Sequence, residues 1–313
     1  MPGPKISRTT TAHLLLLFVV LVWGSTFVLV KAALQDVSPL LFNLMRMCLA
    51  AALLLALYRR HLRAITWPTL SVGALAGVLL AGGYQFQTAG LQHIPPARSA
   101  FLTGLIVIFV PFLSLSRHLR VPGAAPPRAG AFAGAALGFL GLALLAIPAG
   151  QPWALASLGR GDLLTLACAF CFALHLLCLA HGSRHVPFQS LAAVQITTAA
   201  LLMAATLPIF EPHPVFHATP RFLLAWLVSA TLATAAAFAI QSWAQAFLPA
   251  SHTALILALE PVFAAATSFV VLGERLEGRA LAGAALVLAA ILLSELFPSG
   301  GVQPTAHEAA PLL

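Results

Sequence analysis

Of the 313 residues, 60% are hydrophobic and only 8% are charged, whereas a water-soluble domain carries ~25% charged side chains to keep its surface wet. That balance excludes a soluble globular fold. The net charge of +8 comes from Lys and Arg set between apolar runs, as in membrane proteins. No basic patch with interleaved aromatics exists that could bind nucleic acid.

In chain order, Lys5 and Arg8 precede a first apolar run that begins like a secretory signal. No A-x-A cleavage pattern follows, and the run continues through Trp23 to Val30, so it reads as an uncleaved span. A crossing helix needs ~20 mostly apolar residues. Runs of about that length cover His13–Lys31, Pro39–Leu57, Leu70–Gly90, Arg98–Ser116 and Gly130–Ile147. They continue over Asp162–Ala180, Pro187–Ile209, Phe222–Ala246, Ser251–Leu272 and Ala280–Phe297. The expected fold is therefore all-α and integral to the membrane, with ten transmembrane helices. Leu248–Pro249–Ala250 divides the eighth span from the ninth.

Several local patterns carry packing and no chemistry. Gly73/Gly77 on the third span and Gly130, Gly134 and Gly138 on the fifth have the small-x-x-x-small spacing that lets helices approach closely, within a chain or in a homodimer. The four cysteines, Cys48, Cys168, Cys171 and Cys178, all lie in apolar runs, and Cys168-x-x-Cys171 lacks the polar partners of a zinc or redox pair. His213 and His217 stand at a ligand spacing beside Glu211, but Pro212, Pro214 and Pro220 keep that segment from being helical. Trp67, Trp153 and Trp226 lie near span ends, where indoles anchor at the interface. No metal and no cofactor is expected, and the tail 299–313 reads as polar and disordered.

With the N-terminus inside, nine Lys/Arg fall on inside segments, led by Arg59, Arg60, Arg63, Arg117, Arg120 and Arg128, and six fall outside. The positive-inside rule then places both termini in the cytoplasm, in a bacterial-type inner (plasma) membrane.

The two halves of the chain repeat. At an offset of 154, Tyr84 falls on Phe238, Gln87 on Gln241, Thr88 on Ser242, Pro95 on Pro249 and Ser99 on Thr253. At 149, the Ala131–Leu145 stretch falls on Ala280–Ser294, and at 148 Pro39 falls on Pro187. The repeats are drawn at 1–147 and 148–298. Each holds five spans, and an odd number inverts the second copy, giving the pseudo-two-fold architecture of alternating-access carriers.

The residues that carry a family likeness are now in hand. They are Trp23-Gly24-Ser25-Thr26-Phe27, Ser38-Pro39 with Arg46, Gly83 to Leu91 and Ala97 to Gly104. In the second half they are Gly161-Asp162, Gln241 to Gln245, Leu259 to Phe263 and Gly273 to Leu276. On these motifs the chain resembles the EamA-type permeases of the drug/metabolite transporter superfamily. The resemblance implies a ten-helix exporter of a small solute and does not name the substrate.

Spacings of three and four put Tyr84, Gln87, Thr88 and Leu91 on one face of the third span, and Phe238, Gln241, Ser242 and Gln245 on the matching face of the eighth. Trp23 and Phe27 map onto Cys171 and His175. A solute site is expected from Trp23, Phe27, Tyr84, Gln87, Thr88, His175, Phe238, Gln241 and Gln245, since such sites combine apolar walls with a few polar groups. The amides and hydroxyls could equally serve as interhelical glue. Glu260 and Arg46 are charges inside apolar runs, where each costs ~2.5–3.5 kcal/mol and faces protein or water. Glu260 reads as a coupling or amine-binding carboxylate or as a structural acid. Arg46 reads as an anion-binding group or a snorkelling one, and His175 as a cavity ligand or a neutral core residue.

The sequence carries no G-x-S-x-G, H-E-x-x-H or paired intramembrane aspartates for an enzyme, and no charge ring or filter for a channel. The expected activity is export of small metabolites, amino acids or amphipathic drugs. The expected partners are the solute and the lipid bilayer, with no nucleic acid.

Overall fold

The computed structural model describes residues 7–94, 96–146, 158–272 and 278–296. It is all-helical apart from one isolated bridge between Val37 and Phe216. The helices are α1 (Arg8–Ala33), α2 (Pro39–Leu57), α3 (Trp67–His93), α4 (Pro96–Gly104), α5 (Ile106–Leu113), α6 (Ala129–Ala146), α7 (Arg160–Gly182) and α8 (Phe188–Phe210). They continue as α9 (Pro220–Ala230), α10 (Ala237–Ala244), α11 (Ala250–Leu257), α12 (Glu260–Leu272) and α13 (Gly278–Leu296). Joined end to end where a span is broken, they make the ten crossings of an all-α membrane protein. Seven of these are long and apolar enough to span by length and composition alone.

Local chemistry sets the helix starts. Ser7 Oγ accepts from the Thr10 amide and Thr219 Oγ1 from the Phe222 amide, satisfying amides the first turn leaves unpaired. Pro39, Pro68 and Pro220 occupy first-turn positions, where the missing N–H costs nothing. Outward-facing side chains such as Leu14, Leu201, Ile209 and Leu227 stay exposed, as a surface bathed in hydrocarbon requires.

Three spans that read as continuous are interrupted. The fourth breaks between Gly104 and Ile106, and the ninth between Leu257 and Glu260. Pro261 explains the second break: it has no amide for the Leu257 carbonyl, and its ring crowds that carbonyl. The starts of α4 and α11, and of α5 and α12, are each 154 positions apart, so the breaks are equivalent by the repeat. The eighth span carries a π-helical turn over Thr231–Ala236.

Packing follows the same symmetry. α3 lies against α7 and α8, and the equivalent α9–α10 span lies against α1 and α2. The α1–α12 contact is matched by α7 with α4 and α5, while α6 pairs with α13. These approaches need small residues. A Cβ at Gly24 would sit 2.6 Å from the Glu260 carbonyl oxygen. At Gly77 it would sit 2.5 Å from the Gln195 carbonyl, so Gly73/Gly77 serves internal packing against α8. Trp226 is not a free anchor but stacks on Phe222. Arg275, Trp153 and the tail lie outside the described residues.

Candidate functional site

Arg46 shows how the site is assembled. It projects from α2 and is 5% exposed. Its Nε donates to Thr234 Oγ1 at 2.6 Å, and its Nη2 to Tyr84 Oη at 2.9 Å and the Ala233 carbonyl at 3.3 Å. The guanidinium carbon stands 4.2 Å from the Tyr84 ring centroid, a distance at which cation and ring attract. Ala233 belongs to the π turn, and its carbonyl also accepts from Trp23 Nε1 at 2.8 Å. Thr234 in turn donates to the Ser229 carbonyl. The turn therefore supplies oxygens that hold a cation and an indole together at the junction of both halves. Arg46 is a buried cation held through Nε and Nη2 and does not snorkel.

Around it lies a cavity with about 790 Å³ of atom-free space, its open mouth included. Trp23, Phe27, Tyr84, Gln87, Thr88, His175, Phe238, Gln241, Arg46 and Glu260 all line it. Tyr84 meets Phe172 edge-on at 5.4 Å and Phe238 at 6.1 Å, while Trp23 tilts against Phe238 at 5.4 Å. Those four rings, drawn from both repeats, form the apolar wall. Gln87 Nε2 donates to Thr103 Oγ1 at 3.3 Å, and Gln241 Oε1 has no partner. Glu260 opens α12 at the break in the ninth span. There the helix N-terminus favours a negative charge, and the carboxylate interacts electrostatically with Arg46. His175 lines the cavity, and its Nε2 bonds Gln195 Oε1 at 2.8 Å.

Gln245 is not among the lining residues. It caps α10 one turn beyond Gln241, is fully buried, and has neither amide oxygen nor nitrogen partnered among the described residues. The cavity ends before reaching it.

The sequence pattern of the EamA-like transporter family matches this chain twice, over residues 10–147 and 159–296. An uncharacterized transporter of Archaeoglobus fulgidus is 30% identical over 94% of this chain and 89% of its own length. The chain belongs to the EamA-like transporter family. It is thus a multi-pass membrane transporter and not an enzyme. A second similar protein, the uncharacterized transporter YoaV of Bacillus subtilis, is 24% identical over 88% of the chain and 94% of its own length. A solved crystal structure shares the fold, with a TM-score of 0.74, 22% identity and coverage of 92% of this chain and 97% of that one.

Within this transporter, sequence reasoning overlooked three supports of the site. Asn43, fully buried one turn before Arg46, donates to the Tyr84 carbonyl and exchanges hydrogen bonds with Thr88 at 3.0 and 3.2 Å. A lone Asn in an apolar run was a visible signal of such a role. Thr103 and Phe172 also line the cavity. At the ends of the bundle, Arg98 grips Asp162 in two bonds of 2.6 and 3.0 Å, tying α4 to α7. Asp36 holds Arg221 at 2.7 and 2.9 Å and accepts from Thr219 at 2.7 Å. Arg221 foremost, with the Thr219 hydroxyl, pulls the Asp36 pKa down to about 2. Glu211 accepts from the Leu40 and Leu41 amides and so caps α2. Among the described residues no His/Cys/Asp/Glu cluster suits a metal.

Proposed function

We propose that this transporter exports small zwitterionic metabolites, amino acids with apolar or aromatic side chains foremost, by alternating access of its two inverted halves. The observation that carries the reading is one cavity where a cation and a carboxylate face a wall of four aromatic rings. Arg46 commits Nε and Nη2 to the protein, while Nη1 bonds no described residue. A solute carboxylate can take that edge as a charge-assisted hydrogen bond, shorter and stronger than a neutral one. The solute ammonium then faces Glu260, which accepts no hydrogen bond from a described residue, and the Gln241 oxygen. Trp23, Tyr84, Phe172 and Phe238 receive the side chain. Uncharged, purely polar solutes gain little from such walls.

Glu260 has a second use. A carboxylate that binds either an ammonium or a proton couples solute movement to the proton gradient, so Glu260 is also the proposed coupling site. The orientation follows the basic residues: both termini lie in the cytoplasm of the inner membrane.

Flux into proteoliposomes, measured with a labelled panel of amino acids, a sugar and a nucleotide, tests the reading. Phenylalanine, tryptophan and leucine should move, and Glu260→Gln should flatten the pH dependence of their flux. Movement of the sugar or nucleotide alone overturns the substrate class. An unchanged pH profile in Glu260→Gln removes that residue from coupling.

A further inference from the structure

The cavity is lopsided with respect to the repeat. On α3 it is lined by Tyr84, Gln87, Thr88 and Leu91, the last within a turn of the helix end at His93. On the equivalent α10 it wets Phe238 and Gln241 and stops. Ser242 and Gln245, the counterparts of Thr88 and Leu91, do not line it. The same holds on the first helices. Val30 lines the cavity, while Cys178, 148 positions later on α7, does not. Among the described residues, the cavity follows the first-repeat face further than its second-repeat equivalent.

Gln245 marks the side that the cavity does not reach. Ser242 accepts from Gln195 Nε2 at 2.9 Å, so it is satisfied where it lies. Gln245 has a donor and an acceptor buried with no partner among the described residues, an arrangement folded proteins avoid because each such group forfeits its hydration without return. Its counterpart is a leucine, so the repeat demands no polar group at this position. Packing alone favours Leu there as well. A glutamine that is unsatisfied in one arrangement of the helices is explained by a second arrangement that satisfies it.

We infer that Gln245 lines a latent half-cavity, open in the state facing the other side of the membrane, and there hydrogen-bonds the solute through both amide atoms. In that state the α10 face from Phe238 to Gln245 takes the place that the α3 face from Tyr84 to Leu91 holds here, and Leu91 is sealed. The solute thus passes from a site ending in an apolar residue to one ending in an amide. This inference rests on the reading of the cavity as a solute path.

Single cysteines at Leu91 and at Gln245 decide it, each in a chain whose four native cysteines are replaced by alanine. Each is exposed to a membrane-impermeant maleimide from either face of sealed vesicles. Leu91→Cys should react from one face only and Gln245→Cys from the opposite face only. Reaction of both from the same face, or of Leu91→Cys alone, overturns the latent half-cavity and leaves the cavity reading intact. Reaction of neither overturns both. Separately, Gln245→Leu should lower phenylalanine flux about tenfold or more, the loss of both amide hydrogen bonds to the solute. Undiminished flux, in vesicles where the parent chain moves phenylalanine, overturns the proposed contact.

Discussion

Arg46 holds three protein oxygens at once, on Tyr84, Ala233 and Thr234, and only a planar fork of N–H donors can do so. A lysine keeps the charge but reaches one or two of those oxygens. A hydrogen bond to a charged group is worth about 1.5–3 kcal/mol, so Arg46→Lys is expected to slow solute flux about tenfold or more. Arg46→Met should abolish it. Initial rates in proteoliposomes, beside size-exclusion profiles showing folded protein, give the answer. A wild-type rate in Arg46→Met would mean the guanidinium takes no part in transport. Asp36 offers a different kind of test because it lies in a connection outside the spans. Its folded pKa of about 2 is below the usual 3.8, so the stabilisation from its tie to Arg221 is complete above about pH 4. That stabilisation disappears as pH falls through about 2. Asp36→Asn should lower the thermal midpoint in detergent at pH 7, and the gap from the parent chain should close between pH 4 and pH 2. A gap that stays constant over this range would show that the ion pair does not set the difference.

At the scale of helices, the approach of α1 to α12 determines where Glu260 stands. Gly24 permits it: a methyl group there would sit 2.6 Å from the Glu260 carbonyl and 2.8 Å from the Ala264 nitrogen, both backbone atoms that cannot rotate away. Gly24→Ala should therefore push α12 outward and destabilise the bundle by about 1–3 kcal/mol, the usual result of overpacking. Flux should fall with it. Gly278→Ala, where nothing lies within 4 Å, serves as the control and should melt with the parent. Equal melting of both variants would show that α1 and α12 are not held this closely. Helical spacing made part of this level legible: the face from Tyr84 to Leu91 does line the cavity, whereas the ninth span read as continuous despite Pro261. The break in the fourth span was not read, because Gly104 and the β-branched residues before Pro111 are common inside apolar spans. The π turn was hidden for a similar reason. Half of Thr231–Ala236 is alanine, and what the site takes from it is the Ala233 carbonyl, which no side-chain pattern reveals. Gln245 was placed on the right face by spacing, but spacing along one helix does not say how far along that face a cavity extends.

At the scale of the molecule, the decisive property is that the repeat contains an odd number of crossings. Loops at equivalent positions in the two halves must then emerge on opposite faces, and successive loops must alternate. The 114–128 connection, with exposed Arg117, follows the fourth crossing. The connection carrying exposed His213 follows the seventh. Three crossings separate them, so they lie on opposite sides whatever the absolute orientation. The proposed orientation, drawn from the surplus of Arg at Arg117, Arg120 and Arg128, puts the first in the cytoplasm. In a cysteine-free background, His213→Cys should react with an impermeant maleimide on intact spheroplasts, and Arg117→Cys only after permeabilisation. The reverse result would turn the molecule over and exchange the two faces of the proposed exporter while leaving the fold untouched. Reaction of both on intact cells would be fatal to more than orientation. It would require an even number of crossings between Arg117 and His213. Two halves so arranged would not be inverted, and Gln87 and Gln241 could not exchange roles by rocking about an axis in the membrane plane.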